Sequence, residues 1–116
     1  MLKLEIIIRP ERISQVTGVL DSAGCTGYNY VNVTGRGRQG GVEVVTGRGG
    51  QTTTRSVVPK TLITTVISGD SLDAIIEGVI EAARTPGGSI GDGKIFISEI
   101  KDVVRISSGE RGDVAI

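Results

Sequence analysis

The residues best placed to do chemistry in this chain are Gly91-Asp92-Gly93-Lys94. An acid between two glycines lets the backbone reach positive φ and approach a ligand with no Cβ in the way. Lys94 follows at once, a point charge suited to a phosphate or a carboxylate. Ile95-Phe96-Ile97 then turns apolar and β-prone, which sets the loop at the mouth of a strand. A hairpin turn with a surface lysine would look the same over these four residues. Further cations, Arg36, Arg38, Arg48, Arg55 and Lys60, sit in or beside a glycine-rich stretch whose one acid is Glu43. Together with Lys94, Arg105 and the N–H groups of Gly91–Gly93, they describe a cradle for phosphate. The plainer alternative is a solvated loop kept soluble by its arginines.

Composition narrows the classes. Thirteen basic and thirteen acidic side chains cancel, which argues against a general nucleic-acid binder. A neutral chain with a local positive cluster favours a small anionic ligand. There is no histidine, so His-dependent triads and zinc hydrolase chemistry drop out. Cys25 is the single cysteine; it allows no internal disulfide and fits a reducing, cytoplasmic setting. No apolar run approaches the roughly 20 residues of a membrane span, and charges interrupt the N-terminal Met1-Leu2-Lys3-Leu4-Glu5 as they would not in a signal peptide.

The elements that must position the cradle follow from pattern. Residues 2–9 alternate, with Leu2, Leu4, Ile6 and Ile8 on one face, and read as a strand. Pro10 ends it, and Ile13, Val16, Val19 and Leu20 predict a helix over 11–22, with Gly24 at its left-handed end. Gly18 weakens that helix, and a close helix–sheet contact would account for it. Gly27 to Thr34 predicts a second strand. Seven glycines between Gly35 and Gly50 predict a long flexible loop.

Val57-Val58 and Thr61 to Ile67 predict a strand whose Pro59 marks an edge or bulge. Asp70-Ser71 supply an N-cap for a helix striped by Leu72, Ile75, Ile76, Val79, Ile80 and Ala83. Pro86-Gly87-Gly88 stops it. Strands over 94–99 and 103–106 follow, then a tail over 107–116 that orders on contact. The order β-α-β-β-α-β is ferredoxin-like, an α+β fold with two helices on one face of an antiparallel sheet. The sheet's second face, with Ile7, tyrosines and threonines, is one that a closed oligomer would bury.

Ile90-Gly91-Asp92-Gly93-Lys94-Ile95-Phe96 resembles the nucleotide-binding loop of the PII signal-transduction proteins. Ile7-Ile8-Arg9-Pro10, Gly35-Arg36-Gly37-Arg38-Gln39-Gly40, Val58-Pro59-Lys60 and the ending Arg105-Ile106-Ser107-Ser108-Gly109-Glu110 are also similar, in family order. The resemblance implies one domain over 1–116, with a flexible loop at 35–55 and a phosphate-binding loop at 85–94, assembled as a homotrimer with the sheets inward. It implies an adenine nucleotide (ADP, AMP or ATP) in the cleft between subunits. Gly37, Arg38 and Gln39 would lie at the base of the large loop, Gly91, Asp92, Gly93, Lys94 and Arg105 on the phosphates, and Val66 by the adenine. Arg38, Gln39, Gly40, Gly41 and Lys60 would receive a small anion, bicarbonate or 2-oxoglutarate. A membrane transporter or an enzyme would be the target, reached through residues 36–55. In members of the family that sense 2-oxoglutarate, Gln39 and Lys60 match a metal ligand and a carboxylate partner; for this chain no metal site and no catalytic cofactor is expected.

Departures from the family pattern are specific. Ser107 stands where a second arginine is usual, which removes a charge-assisted contact of about 1.5–3 kcal/mol. ADP or AMP should then bind at least as well as ATP. The threonine before Ile-Gly-Asp-Gly is displaced, because Pro86-Gly87-Gly88-Ser89 lengthens the segment. The large loop has no tyrosine to be uridylylated. These changes point to a divergent PII-like branch, such as the carboxysome-associated proteins, with a nitrogen-regulatory PII sensing 2-oxoglutarate as the alternative. A slow ATPase is the enzyme alternative, but phosphoryl transfer needs positioned metal carboxylates and Asp92 is the cradle's one acid, better suited to bracing the turn.

Overall fold

The computed structural model describes residues 1–36, 42–45, 52–55 and 57–116. In chain order the elements are β1 (Leu2–Ile8), α1 (Ile13–Ser22), β2 (Tyr28–Gly35), β3 (Val42–Val45), β4 (Thr52–Arg55), β5 (Val58–Ile67), α2 (Leu72–Ala83) and β6 (Gly93–Glu99). The main sheet has four strands in the order β2-β5-β1-β6, every neighbour antiparallel. This is the ferredoxin-like arrangement.

Alternation does its work in β1 and β5. Leu4, Ile6 and Ile8 are buried, as are Ile63 and Ile67, and the register sets Ile6 opposite Ile63. Val16 and Leu20 of α1, with Ile75, Val79 and Ala83 of α2, close one core over that face. Thr61 and Thr65 are also buried there, and the Thr65 hydroxyl donates to the Gly27 carbonyl at 2.7 Å, so its polarity is satisfied. Pro59 costs no ladder bond to β1. The β1 pairing stops at Ile8–Thr61, so Pro59 has a neighbour only in β2. The expectation of a local edge at this proline holds.

Several expectations need correction. The first helical turn, Pro10–Arg12, is a 3-10 turn and the α-helix proper begins at Ile13. Gly18 packs against nothing: a Cβ there would meet no atom within 4 Å. The close contact is at Gly78 of α2, where a Cβ would lie 2.7 Å from Val19 Cγ1, so the crowded surface lies between the helices. Asp70 and Ser71 belong to a 3-10 turn, Gly69–Ser71, and no side-chain cap bond forms at the start of α2. Within the stretch expected to be a long flexible loop, β3 and β4 pair, with Val42 opposite Arg55 and Val45 opposite Thr52. Its valines and threonines are β-branched, which favours a pleated backbone despite the flanking glycines.

The tyrosines change face. Tyr28 pairs with Thr65 and Tyr30 with Ile63, which puts both on the helix side. The Tyr28 hydroxyl donates to Asp21 Oδ1 of α1 at 3.0 Å. The opposite face instead carries a row formed by Val31, Leu62 and Ile7, with Phe96 of β6 half exposed beside it.

No strand forms at 103–106; a single bridge joins Val104 to Arg111. Ile106 to Ser108 make a turn that reverses the chain before a second strand can pair. Residues 107–116, expected to order on contact, make those contacts within the chain. Arg111 pairs with Asp102 at 2.7 Å, the Thr26 hydroxyl donates to the Ile116 carbonyl, and Ala115 is buried.

Candidate functional site

Strand register brings the cationic residues to one end of the sheet. Ile8 is opposite Gly93 and Thr61, so the end of β1 meets the starts of β6 and β5. Gly35 at the end of β2 is opposite Val58 of β5 at the same end. Arg9, Arg36, Lys60 and Lys94 are therefore neighbours by topology, although 85 positions separate the first from the last in sequence. A cleft of about 1070 Å³ opens here, lined among others by Arg36, Lys60, Gly91, Asp92, Gly93 and Lys94.

The turn at its centre depends on its glycines. Gly91 has φ 99° and Gly93 φ 122°, conformations that L side chains rarely adopt. A Cβ on Gly93 would fall 1.8 Å from the Ile7 carbonyl oxygen. Only glycine lets β6 start this close to β1.

Asp92 holds the turn closed. Its Oδ2 accepts from the Ser89 N–H at 2.9 Å and the Thr85 N–H at 3.0 Å, and Oδ1 accepts from Arg9 Nε at 3.1 Å. The Thr85 hydroxyl reaches both oxygens, at 3.0 and 3.1 Å. Burial by itself would raise the carboxyl's pKa. The Ser89 and Thr85 N–H groups, the Arg9 guanidinium and the Thr85 hydroxyl outweigh it and hold the group well below the usual carboxylate range. The expectation that Asp92 braces the turn is met.

Lys60 reaches across from β5 and donates to the Gly91 carbonyl at 2.5 Å. Partial burial lowers its pKa, and the nearby Arg9 charge lowers it further, against Glu11 and Asp92. An ammonium held beside another cation with incomplete hydration is a good receptor for an arriving anion. Lys94 stands exposed on the outer face opposite Ile7.

Not all expected residues converge. Arg105 is engaged in the C-terminal turn, donating to Glu110 Oε1 at 3.3 Å and to the Val114 carbonyl at 2.9 Å. It does not line the cleft. Val66 lines a smaller cavity of about 250 Å³ with Cys25, Thr26, Ser68 and Asp113. Gly37, Arg38, Gln39, Gly40, Gly41 and Arg48 lie outside the described residues. Conversely, Arg9 and Thr85 hold the turn, yet neither was expected as a site residue: Thr85 fell only within the 85–94 loop and Arg9 only within a family motif. The signal for Arg9 was a lone cation closing an apolar strand before Pro10. Thr85 looked displaced, yet it reaches Asp92 all the same.

The family described as "Nitrogen regulatory protein P-II" matches residues 1–110. This chain belongs to the P-II family. P-II proteins are signalling and regulatory proteins. "Nitrogen regulatory protein P-II 2" of Methanothermobacter thermautotrophicus is 42% identical over 117 residues, covering 100% of this chain and 97% of that protein. A P-II homolog of Arabidopsis thaliana is 41% identical over 97% of this chain and 56% of its own length. Among solved structures, Arabidopsis thaliana PII bound to citrate superposes with TM-score 0.77 at 36% identity, covering 99% of this chain and 91% of that one. Among the described residues of this P-II protein, no helix is long and apolar enough to cross a membrane.

Proposed function

We propose that this P-II protein binds an adenine nucleotide, ADP or AMP at least as well as ATP, at the Gly91–Gly93 turn. A small anion beside Lys60 completes the signal, which the 35–55 segment relays to a transporter or an enzyme in the cytoplasm. The observation that carries this reading is the pre-formed turn. Arg9, Thr85 and Ser89 lock Asp92, and Lys60 holds the Gly91 carbonyl, so the ordering cost of two glycines is met before a ligand arrives. Lys94 and Arg36 line the same cleft, where a phosphate would find charge of the right sign.

The site is shared between subunits of a homotrimer. Arg105 and Val66 of one copy would complete the cleft of the next, which agrees with their distance from it in the single chain. The Val31–Leu62–Ile7 row and Phe96 give the otherwise mixed outer face of the sheet an apolar strip for that assembly.

Two ligand readings divide on the anion. Bicarbonate would suit a divergent, carboxysome-associated branch. 2-Oxoglutarate would suit a nitrogen-regulatory protein, and the names of the relatives at 42% and 38% identity favour it. The citrate bound to the Arabidopsis thaliana PII shows that a relative accepts a small carboxylate. Catalysis is disfavoured because the carboxylate of Asp92 is occupied by its own loop and Arg9, leaving it poorly free to position a metal or a nucleophile.

Titration calorimetry tests the proposal, with AMP, ADP and ATP, each with and without bicarbonate or 2-oxoglutarate. Nucleotide binding that tightens when one anion is present supports it and names the anion. Absence of nucleotide binding under every condition would overturn it, and steady ATP turnover would move the protein to the enzyme class.

A further inference from the structure

We infer that Arg9 is a positioning residue for nucleotide phosphate, acting through the turn rather than on the ligand; this rests on the nucleotide reading above. Its guanidinium straddles Gly91. Nε donates to Asp92 Oδ1 at 3.1 Å, and Nη2 donates to the Ile90 carbonyl at 3.2 Å. The residues before and after the glycine are thus tied to one rigid plane. The placement follows from register: Ile8 pairs with Gly93, so the next residue along β1 comes beside Asp92. Pro10 then fixes the direction of the chain.

A turn with two positive-φ glycines has wide freedom of its own. Here three consecutive groups are held by cations: the Ile90 carbonyl and the Asp92 carboxylate by Arg9, and the Gly91 carbonyl by Lys60. Rotation of either peptide plane would break at least one of these bonds. Arg9 is only 20% exposed, and its charge is neutralised by Asp92 at 3.1 Å, which leaves it little to offer a phosphate directly. Lysine would lack the fixed two-point geometry, because the three donors of an ammonium swing about one point while a guanidinium is a rigid planar fork. Thr85 secures the same carboxylate through its N–H and its hydroxyl, so Arg9 and Thr85 act on one target.

The test compares ADP with adenosine, which lacks phosphate, by calorimetry on wild type, Arg9→Gln, Arg9→Lys, Thr85→Val and the Gln/Val double variant. Arg9→Gln should weaken ADP by about tenfold or more while adenosine changes by less than about twofold. Arg9→Lys should recover part of that loss. Thr85→Val should weaken ADP in the same phosphate-dependent way, and the double variant should lose less than the product of the two single losses, because both act through Asp92. If Arg9→Gln does not fold, Thr85→Val and Arg9→Lys carry the comparison.

Equal loss of ADP and adenosine would overturn the inference, as would unchanged ADP binding in the variants. A large effect of Arg9→Gln with none from Thr85→Val would make Arg9 a direct ligand and overturn it too. Wild-type protein that binds neither compound would overturn the nucleotide reading along with this one.

Discussion

Thr85 and Asp92, seven positions apart, are joined through the Thr85 N–H at 3.0 Å and a hydroxyl shared between the two carboxylate oxygens. The added length of Pro86-Gly87-Gly88-Ser89 does not part them. Those residues form an exposed turn, with Gly87 and Gly88 at φ 79° and 75°, so the extra chain is taken up in solvent. The Thr85 N–H is also free to face Asp92 because α2 has already ended at Ala83.

Asp92→Asn should destabilise the protein at pH 7 by about 1–3 kcal/mol, since the amide cannot accept from every donor now aimed at the carboxylate. The pH dependence has a definite sign. Asp92 is held below its unfolded value of about 3.9, so its stabilisation is complete above that pH and is lost as pH falls toward the folded value. Urea melts at pH 7 and pH 3 should show the gap between wild type and variant narrowing at the lower pH. A gap equally wide at both would mean that the charge is not what Asp92 contributes.

The glycines should separate by environment. Gly18→Ala, in open space on α1, should stabilise by about 0.5–1 kcal/mol through helix propensity. Gly78→Ala should forfeit that gain against Val19 Cγ1, 2.7 Å from the new methyl, and recover it with Val19→Ala. Gly93→Ala combines a φ of 122° with a Cβ 1.8 Å from the Ile7 carbonyl. It should cost more than the about 1–3 kcal/mol of backbone strain alone. Thermal melts of the three variants are the measurement, and a stable Gly93→Ala protein would contradict the tight β1–β6 approach.

Nucleotide preference should follow Ser107, exposed in the C-terminal turn. Wild type should bind ADP or AMP at least as tightly as ATP, and Ser107→Arg should shift preference toward ATP. Calorimetry decides: a wild-type preference for ATP of about tenfold, or about 1.4 kcal/mol, would contradict the reading of this position.

Assembly should depend on the outer sheet face. Light scattering at micromolar concentration should find a trimer, and Leu62→Lys, at the middle of the Val31–Leu62–Ile7 row, should yield monomer. A wild-type monomer would remove the shared-cleft site altogether.

Much was legible in the sequence because it is written in local pattern. The alternation of Leu2, Leu4, Ile6 and Ile8 and the apolar stripe of Leu72–Ala83 each commit one face to a core, and that commitment with its chain order determines a β-α-β-β-α-β sandwich. The Gly-Asp-Gly-Lys turn was legible for the same reason, since glycine content and backbone freedom are local properties. What only the tertiary structure decided depends on register and on contacts between distant segments. Which face Tyr28 and Tyr30 occupy is set by the pairing of β2 with β5, because a shift of one residue would reverse every side chain. That Gly78, not Gly18, marks the crowded surface depends on how α2 meets Val19. Arg9 joins the site because β1 and β6 pair with Ile8 opposite Gly93, bringing together residues 83 positions apart; neither segment alone carries the information that places its partner.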